Sequence, residues 1–326
     1  MFRRITVLLL AAALLLLTAC SKKKPADYEG YQQQQSAELP GPEPFGETPD
    51  TDAAFRMVTI CYLSDEGFIV PVTKMIPWEE GIAAACLSYM VSTPENLSAA
   101  REMGLSTVIP EGTGISLSIK DGNALVDVKS MPALPNKESE LAMIQAIVNT
   151  MTGFPTVNSV TVTRDGEGGT LENGTRLPVR QGAYPLNPLD SEVSASSDSS
   201  QVTLYFPNLS GALTIPVTVR VSSKPNLYST VSQLIKGSGS NSLLNCFPEG
   251  TLLLGAAIEN GTVTVNLSED FKQTAQTEGL FTLAFSTVWL TLSESFDFTS
   301  LKFQVNGRDY RPENAEPPYV CNPAVR

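Results

Sequence analysis

No histidine occurs anywhere in the 326 residues of this chain. That absence removes Ser-His-Asp triads, Cys-His pairs and His-ligated zinc sites from consideration. Carboxylate, lysine and tyrosine chemistry stay open. Cysteine is sparse as well: Cys20, Cys61, Cys86, Cys246 and Cys321 show no CxxC spacing. Cys61, Cys86 and Cys246 lie in apolar stretches and read as small core residues, with a disulfide among Cys61, Cys86, Cys246 and Cys321 as the alternative. Basic residues are few, 22 Lys and Arg against 34 Asp and Glu, for a formal charge of −12. A chain with that balance has no basic surplus to displace counterions, so nucleic acid is excluded as a partner. The two tryptophans, Trp78 and Trp289, occupy positions that do not correspond in the repeat described below, and read as packing residues.

The long hydrophobic run that is present stands at the start. Arg3 and Arg4 precede an apolar stretch from Ile5 to Leu17, too short for a comfortable membrane span, and Leu17-Thr18-Ala19-Cys20 follows. This is the layout of an export signal. Leu-Thr-Ala-Cys also has the form of a bacterial lipobox, which predicts a signal peptide over 1–19, cleavage before Cys20 and acylation of that residue. The alternative is an ordinary secretory signal or an uncleaved anchor. On the lipobox reading the mature chain is held at the extracytoplasmic face of the cell membrane by buried acyl chains. Lys22-Lys23-Lys24 then sits either against anionic headgroups or as a solvated stem.

Residues 20–54 are rich in Lys, Gln, Glu, Pro and Asp and predict a flexible stalk. A serine-rich patch within 181–200 predicts a linker. Between and after them lie two blocks, 55–180 and 201–312, followed by a tail over 313–326. The blocks resemble each other. Each opens on an apolar segment with a tyrosine, Ile60-Cys61-Tyr62-Leu63 or Leu204-Tyr205-Phe206, and continues into Val70-Pro71-Val72-Thr73 or Ile215-Pro216-Val217-Thr218. A proline in such a run fits an edge strand or the first residue of a strand. A helical stretch follows, then Pro110-Glu111-Gly112-Thr113 or Pro248-Glu249-Gly250-Thr251, a tight turn by composition. Alternating hairpins turn at Asp121-Gly122 and Asn260-Gly261. A second helix carries Leu141, Ile144, Val148 and Met151, or Leu280, Leu283, Ala284 and Val288. Closing strands end at Asp165-Gly166 and Asn306-Gly307. Each block reads β-β-α-β-β-α-β, and the fold class is α+β: two tandem copies of a small sheet with two helices on one face.

Taken in order over residues 55 to 310, these features resemble the GerMN domain family of endospore-forming bacteria. The resemblance implies a fold like that of ring-building modules of secretion and sporulation ring proteins. It also implies a role in spore formation and germination, near the channel complex between mother cell and forespore. No catalytic motif attaches to the family. The first copy departs from the pattern at Ile60-Cys61-Tyr62-Leu63 and carries an extension, Gly166-Glu167-Gly168-Gly169.

Glu111 and Glu249 recur in both blocks, but acid-base work needs a second positioned group and glycoside cleavage needs a carboxyl pair. Asp127 corresponds to Asn266, a swap that would abolish an acid or base in one copy. These residues read as turn and sheet chemistry, as do Tyr62 and Tyr205. No catalytic residue, metal ligand or cofactor site is expected; Cys20 is the one modified residue. The expected function is a lipid-anchored, non-catalytic assembly module whose partners are the membrane and other envelope or sporulation-complex proteins. A solute- or glycan-binding lipoprotein is the alternative, and a hydrolase the weakest reading. A polar, serine-rich linker predicts moderate contact at most between the blocks.

Overall fold

Four dipeptides set the turns on which both halves are built. Asp121-Gly122, Asp165-Gly166, Asn260-Gly261 and Asn306-Gly307 each place two successive residues at positive φ, between 49° and 84°. Asp and Asn tolerate that region and glycine enters it without penalty, which is the requirement of a two-residue hairpin turn. The computed structural model describes residues 55–77, 81–189, 199–222, 224–318 and 320–324. The signal segment 1–19, Cys20, the stalk 20–54, Trp78 and the serine-rich part of the linker lie outside the described residues.

The first half runs β1 (Phe55–Ser64), β2 (Ile69–Pro77), helix α1 (Ile82–Tyr89), α2 (Pro94–Glu102), β3 (Leu105–Ser106), β4 (Gly114–Lys120), β5 (Asn123–Lys129), α3 (Lys137–Thr152) and β6 (Ser159–Arg164). The second half runs β7 (Ser200–Pro207), β8 (Thr214–Val221), α4 (Leu227–Lys236), β9 (Leu253–Glu259) and β10 (Thr262–Leu267). It ends with a 3-10 helix (Glu269–Gln276), α5 (Leu280–Ser293), β11 (Ser300–Val305) and β12 (Arg308–Asp309). The fold is α+β and repeated, as the pattern predicts. Its strands, however, are shared between two sheets per half rather than one. The orders are β2-β1-β3 and β4-β5-β6 in the first half, β7-β8 and β12-β11-β10-β9 in the second.

Local chemistry explains the helices. Thr93 caps α2, its hydroxyl accepting from Asn96 N at 3.2 Å, with Pro94 at the first helical position. Asn136 caps α3 and Asn226 closes a capping box with Ser229 on α4. On α3 the buried face carries Met143, Ile144, Ile147, Val148 and Met151, while Leu141, expected on that stripe, is exposed. In the central hairpins only the inner strand is buried on one face: Ala124, Val126 and Val128 in β5, Val263, Val265 and Leu267 in β10. The outer strands β4 and β9 are edges, which is why Ile119, Leu254 and Ile258 stay exposed.

Equivalent bonds recur in both halves. Gly122 O accepts from Asn158 N and Ser159 N at 2.7 and 3.1 Å, and Gly261 O accepts from Thr299 N and Ser300 N at 2.8 and 3.2 Å. Cys61 N donates to Thr150 Oγ1 at 2.9 Å, and Tyr205 N to Thr291 Oγ1 at 3.0 Å. Cys61 pairs with Pro71 across the sheet, and Tyr205 pairs with Pro216. Tyr205 therefore occupies the place of Cys61, and Tyr62 that of Phe206, one position away from a match of tyrosine to tyrosine.

Residues 55 to 324 gather into one compact unit, in which β2 and β8 meet across the halves. Part of the stretch expected to be linker, together with the C-terminal tail, joins the halves. Leu186 to Leu189, in the stretch expected to be linker, pairs with Thr218 of β8: Thr218 N and Oγ1 both donate to Leu186 O, and Leu189 N donates to Thr218 O. The tail does the same to the first half, with Thr73 N and Oγ1 donating to Cys321 O and Ala324 N donating to Thr73 O. Two asparagines complete the exchange, both at φ 45°. Asn187 Oδ1 accepts from Ile69 N at 2.8 Å, while its Nδ2 donates to Ile69 O at 2.8 Å and to Pro216 O at 2.7 Å. Asn322 Oδ1 accepts from Thr214 N at 2.7 Å, while its Nδ2 donates to Thr214 O at 2.8 Å and to Pro71 O at 3.0 Å.

Removing one of these amides strips three bonds from half-buried backbone. Asn322→Ala should cost about 1–3 kcal/mol in urea unfolding. Asn322→Gly, which keeps the positive φ free of strain, should lose nearly as much. Recovery of full stability by glycine would mean that backbone conformation, not the amide, is what matters there.

Candidate functional site

Each residue singled out from the sequence has a definite place. Glu111 and Glu249 stand exposed at the second position of turns closed by Thr113 N to Pro110 O and Thr251 N to Pro248 O, at 3.3 and 3.1 Å. The third position is Gly112 at φ 80° or Gly250 at φ 85°, as a type II turn requires. The two carboxylates sit in separate turns. Asp127 Oδ1 accepts from Gly166 N at 2.8 Å, and Asn266 Oδ1 accepts from Gly307 N at 2.9 Å. An Asn oxygen does this as well as an Asp oxygen, so the swap between halves preserves the bond that matters. The Gly166 amide, with the Thr163 hydroxyl and Lys129 nearby, also holds the Asp127 carboxyl below its ordinary range.

The tyrosines and cysteines belong to the interior. Cys61, Cys86 and Cys246 are buried, and burial pushes their thiols up to about 12. Cys321 is likewise pushed up to about 12, by burial first and then by Glu294 and Cys61. All four stay protonated at neutral pH and make poor nucleophiles. Burial, reinforced by Glu294, lifts the Tyr205 phenol well above its usual value, and its OH donates to Glu294 Oε1. Cys61, Tyr205, Cys321 and Glu294 thus meet where the halves join. Among the described residues, no group of three or more His, Cys, Asp or Glu side chains is placed to hold a metal ion. Among the same residues, no helix is long and apolar enough to cross a membrane.

Sequence reasoning missed three things. Glu140 is fully buried on α3 and receives Asn173 N at 2.7 Å, Asn173 Nδ2 at 3.1 Å and Thr175 N at 3.1 Å, anchoring the loop after the Gly-rich extension. A charged residue in a helical pattern gave no sign of this. The asparagine exchange was also missed, although Tyr184-Pro185-Leu186-Asn187-Pro188 and Tyr319-Val320-Cys321-Asn322-Pro323 repeat Tyr-X-X-Asn-Pro. The third is a groove of about 400 Å³ in the second half, lined by Phe285, Trp289, Leu301, Tyr310 and Pro317 among others. Trp289 stacks on Phe285 at 6.1 Å and meets Phe298 edge-on at 4.8 Å.

Burial of Glu140 favours its neutral form, but the donors of Asn173 and Thr175 outweigh it and hold its carboxyl below the usual range. A depressed folded pKa contributes stability that is present above the unfolded value of about 4.3 and is lost as pH falls through the folded one. Glu140→Gln should therefore cost about 1–3 kcal/mol at pH 7. The gap to the parent chain should narrow below about pH 4. Urea midpoints across that range check it; a gap that does not change with pH would deny the carboxylate its charged role.

A family model described as Germane, sporulation and spore germination, matches residues 59–170 and again 203–311. The spore germination protein GerM of Bacillus subtilis (strain 168) is 27% identical over 267 residues, which span 76% of this chain and 71% of GerM. The solved tandem GerMN domains of the sporulation protein GerM from Bacillus subtilis align with a TM-score of 0.65 at 23% identity, covering 83% of this chain and all of that one, which establishes the fold. Neither of those two names carries a catalytic activity. With both halves matched separately by the family model, the chain belongs to the Germane family of sporulation and spore germination proteins, as a tandem of two GerMN domains.

Proposed function

We propose that this chain is a non-catalytic assembly module, held through acyl chains on Cys20 at the extracytoplasmic face of the cell membrane, that supports sporulation and germination by docking envelope proteins. In this plan residues 1–19 are removed, 20–54 form the stalk, and 55–180 and 201–312 are the two working modules. The exchange of backbone and asparagine bonds through Thr73, Thr218, Asn187 and Asn322 carries the reading. It sets the two modules in one fixed relation, so a partner that touches one finds the other at a defined distance and high effective concentration. The well-placed carboxylates of the first module, Glu140 and Asp127, are occupied in holding turns. Kinship with GerM supplies the biological setting.

Two outcomes are expected in the native host. Cys20→Ala should abolish acylation and release the chain from the membrane fraction, and spore output should fall with it. Glu111→Gln and Glu249→Gln should sporulate at parental levels, whereas deleting either module should abolish recovery of crosslinked envelope partners during a sporulation time course. Lost spore output from a glutamine variant that is folded and membrane-bound would mean that one of these carboxylates does chemistry. A Cys20→Ala chain still processed and membrane-bound would remove the lipid anchor.

A further inference from the structure

The two halves treat the same strand edge differently. In the first half, β6 is flanked by β5 on one side and by the segment Pro178 to Gln181 on the other. Val160 N donates to Gln181 O at 2.7 Å, Gln181 N to Val160 O at 2.8 Å and Val162 N to Pro178 O at 2.9 Å. Arg180 N adds a bond to Thr161 Oγ1 at 3.0 Å. The chain thus closes its own edge with a short bulged segment that makes one antiparallel bridge, Val160 to Gln181.

Register identifies the matching atoms in the second half. Val160 stands opposite Ala124 and Leu301 opposite Val263, each two residues past the hairpin glycine, so Leu301 corresponds to Val160 and Phe303 to Val162. In a parallel pair the N–H and C=O of one residue point to the same side, so those of Leu301 and Phe303 face away from β10. Phe303 O is taken by Tyr310 N at 2.9 Å, the last bond of the β11–β12 hairpin. Among the described residues, no backbone bond reaches Leu301 from that side. Counting back from the two Tyr-X-X-Asn-Pro motifs, the segment matching Pro178 to Gln181 is Glu313 to Glu316. It is drawn off elsewhere: Glu313 Oε1 accepts from Thr282 N at 2.9 Å at the start of α5, and Arg311 Nη2 donates to Ala315 O at 3.2 Å.

What lies between that displaced segment and the open edge is the groove. Residues 299–303 form one wall, Ala315 to Pro317 another, and Phe281, Phe285 and Trp289 the floor. Its volume of about 400 Å³ lies within the range of ligand clefts.

We propose that the open edge of β11 receives an extended polypeptide segment of a partner protein as an added antiparallel strand, with its side chains seated against Phe285, Trp289 and Tyr310. The first half shows what covers this edge when it is covered: the segment Pro178 to Gln181, bonded through its backbone across a bulge at Arg180, whose φ is 49°. An unpaired edge is a template for such pairing, in which backbone bonds supply affinity and side-chain pockets supply choice. The site gives the assembly reading a docking surface, and its test is made in vitro, so its failure leaves the sporulation test standing.

The probe is the synthetic peptide of residues 176–182, which carries the natural edge-closing sequence, added at millimolar concentration to the full-length chain in detergent micelles. Residue-resolved amide exchange supplies the readout, with Val160 as an internal reference. In the free chain Leu301 N–H should exchange at least tenfold faster than Val160 N–H, and the peptide should slow Leu301 and Phe303 at least tenfold. The same peptide N-methylated at the Gln181 nitrogen, which removes the donor aimed at Leu301 O, should bind at least tenfold more weakly. Protection of Leu301 without peptide, no protection with it, or equal binding of the methylated peptide would each overturn the proposal. Protection produced by a chitin trisaccharide but not by the peptide would also overturn it, and would make the groove a saccharide site.

Discussion

An asparagine side chain at positive φ, offering its oxygen to one strand and its nitrogen to two carbonyls, is the unit on which the tandem depends. Strands β2 and β8 are edges, and each carries a proline whose missing N–H suits an edge while its carbonyl points outward. An outward carbonyl that is half-buried needs a donor. Asn322 brings one to Pro71 and Asn187 brings one to Pro216, and each asparagine binds both backbone groups of the residue that opens the second strand of its own half. Thr73 and Thr218 then take the main chain of the opposite tail. Either half alone would leave a proline carbonyl and a threonine amide without their protein partners. The two halves therefore stabilise one another through backbone groups, beside a buried apolar core that runs through both.

Much of this was legible in the sequence, and the reason is local. The Asp-Gly and Asn-Gly turns and the alternating strands β5 and β10 are decided by residues within a few positions of one another. The near-identity of Val70-Pro71-Val72-Thr73 and Ile215-Pro216-Val217-Thr218 was also visible, but its meaning was not. Those four residues repeat because each set faces the opposite tail, 248 residues away for Thr73 and Cys321. The division of strands between two sheets, the exposure of Leu141 and the one-residue offset of Tyr62 against Tyr205 share that origin. Each is settled by long-range pairing or packing, which periodicity does not report.

The same distinction governs the candidate site. Turn-forming Glu111 and Glu249 were correctly read as surface residues of a turn, because a Pro-Glu-Gly-Thr stretch has its own geometry. Glu140 escaped notice since nothing near it in sequence says that Asn173 and Thr175 will surround its carboxylate. The cores also differ more than the pattern implies. Met143, Ile144, Ile147 and Met151 fill the first, whereas Phe271 in the second touches Phe247, Phe281, Phe303 and Tyr310 with ring centroids 5.0 to 6.2 Å apart. One architecture is thus held by flexible thioether packing in one half and by aromatic stacking in the other.

A difference in chain length connects these asymmetries. From the closing turn to the asparagine, the first half runs from Gly166 to Asn187 and the second only from Gly307 to Asn322, six residues fewer. The extra residues of the first half form the loop that Glu140 anchors, and the anchored loop delivers Pro178 to Gln181 onto β6. In the second half the chain must reach the same asparagine position by a shorter route, and Pro312, Pro317 and Pro318 remove three donors along the way. It passes by Thr282 instead, and β11 keeps an open edge above an aromatic floor. The buried carboxylate in one module and the groove in the other are therefore two consequences of a single insertion: the first module is closed on itself, and the second retains backbone groups that another chain can use.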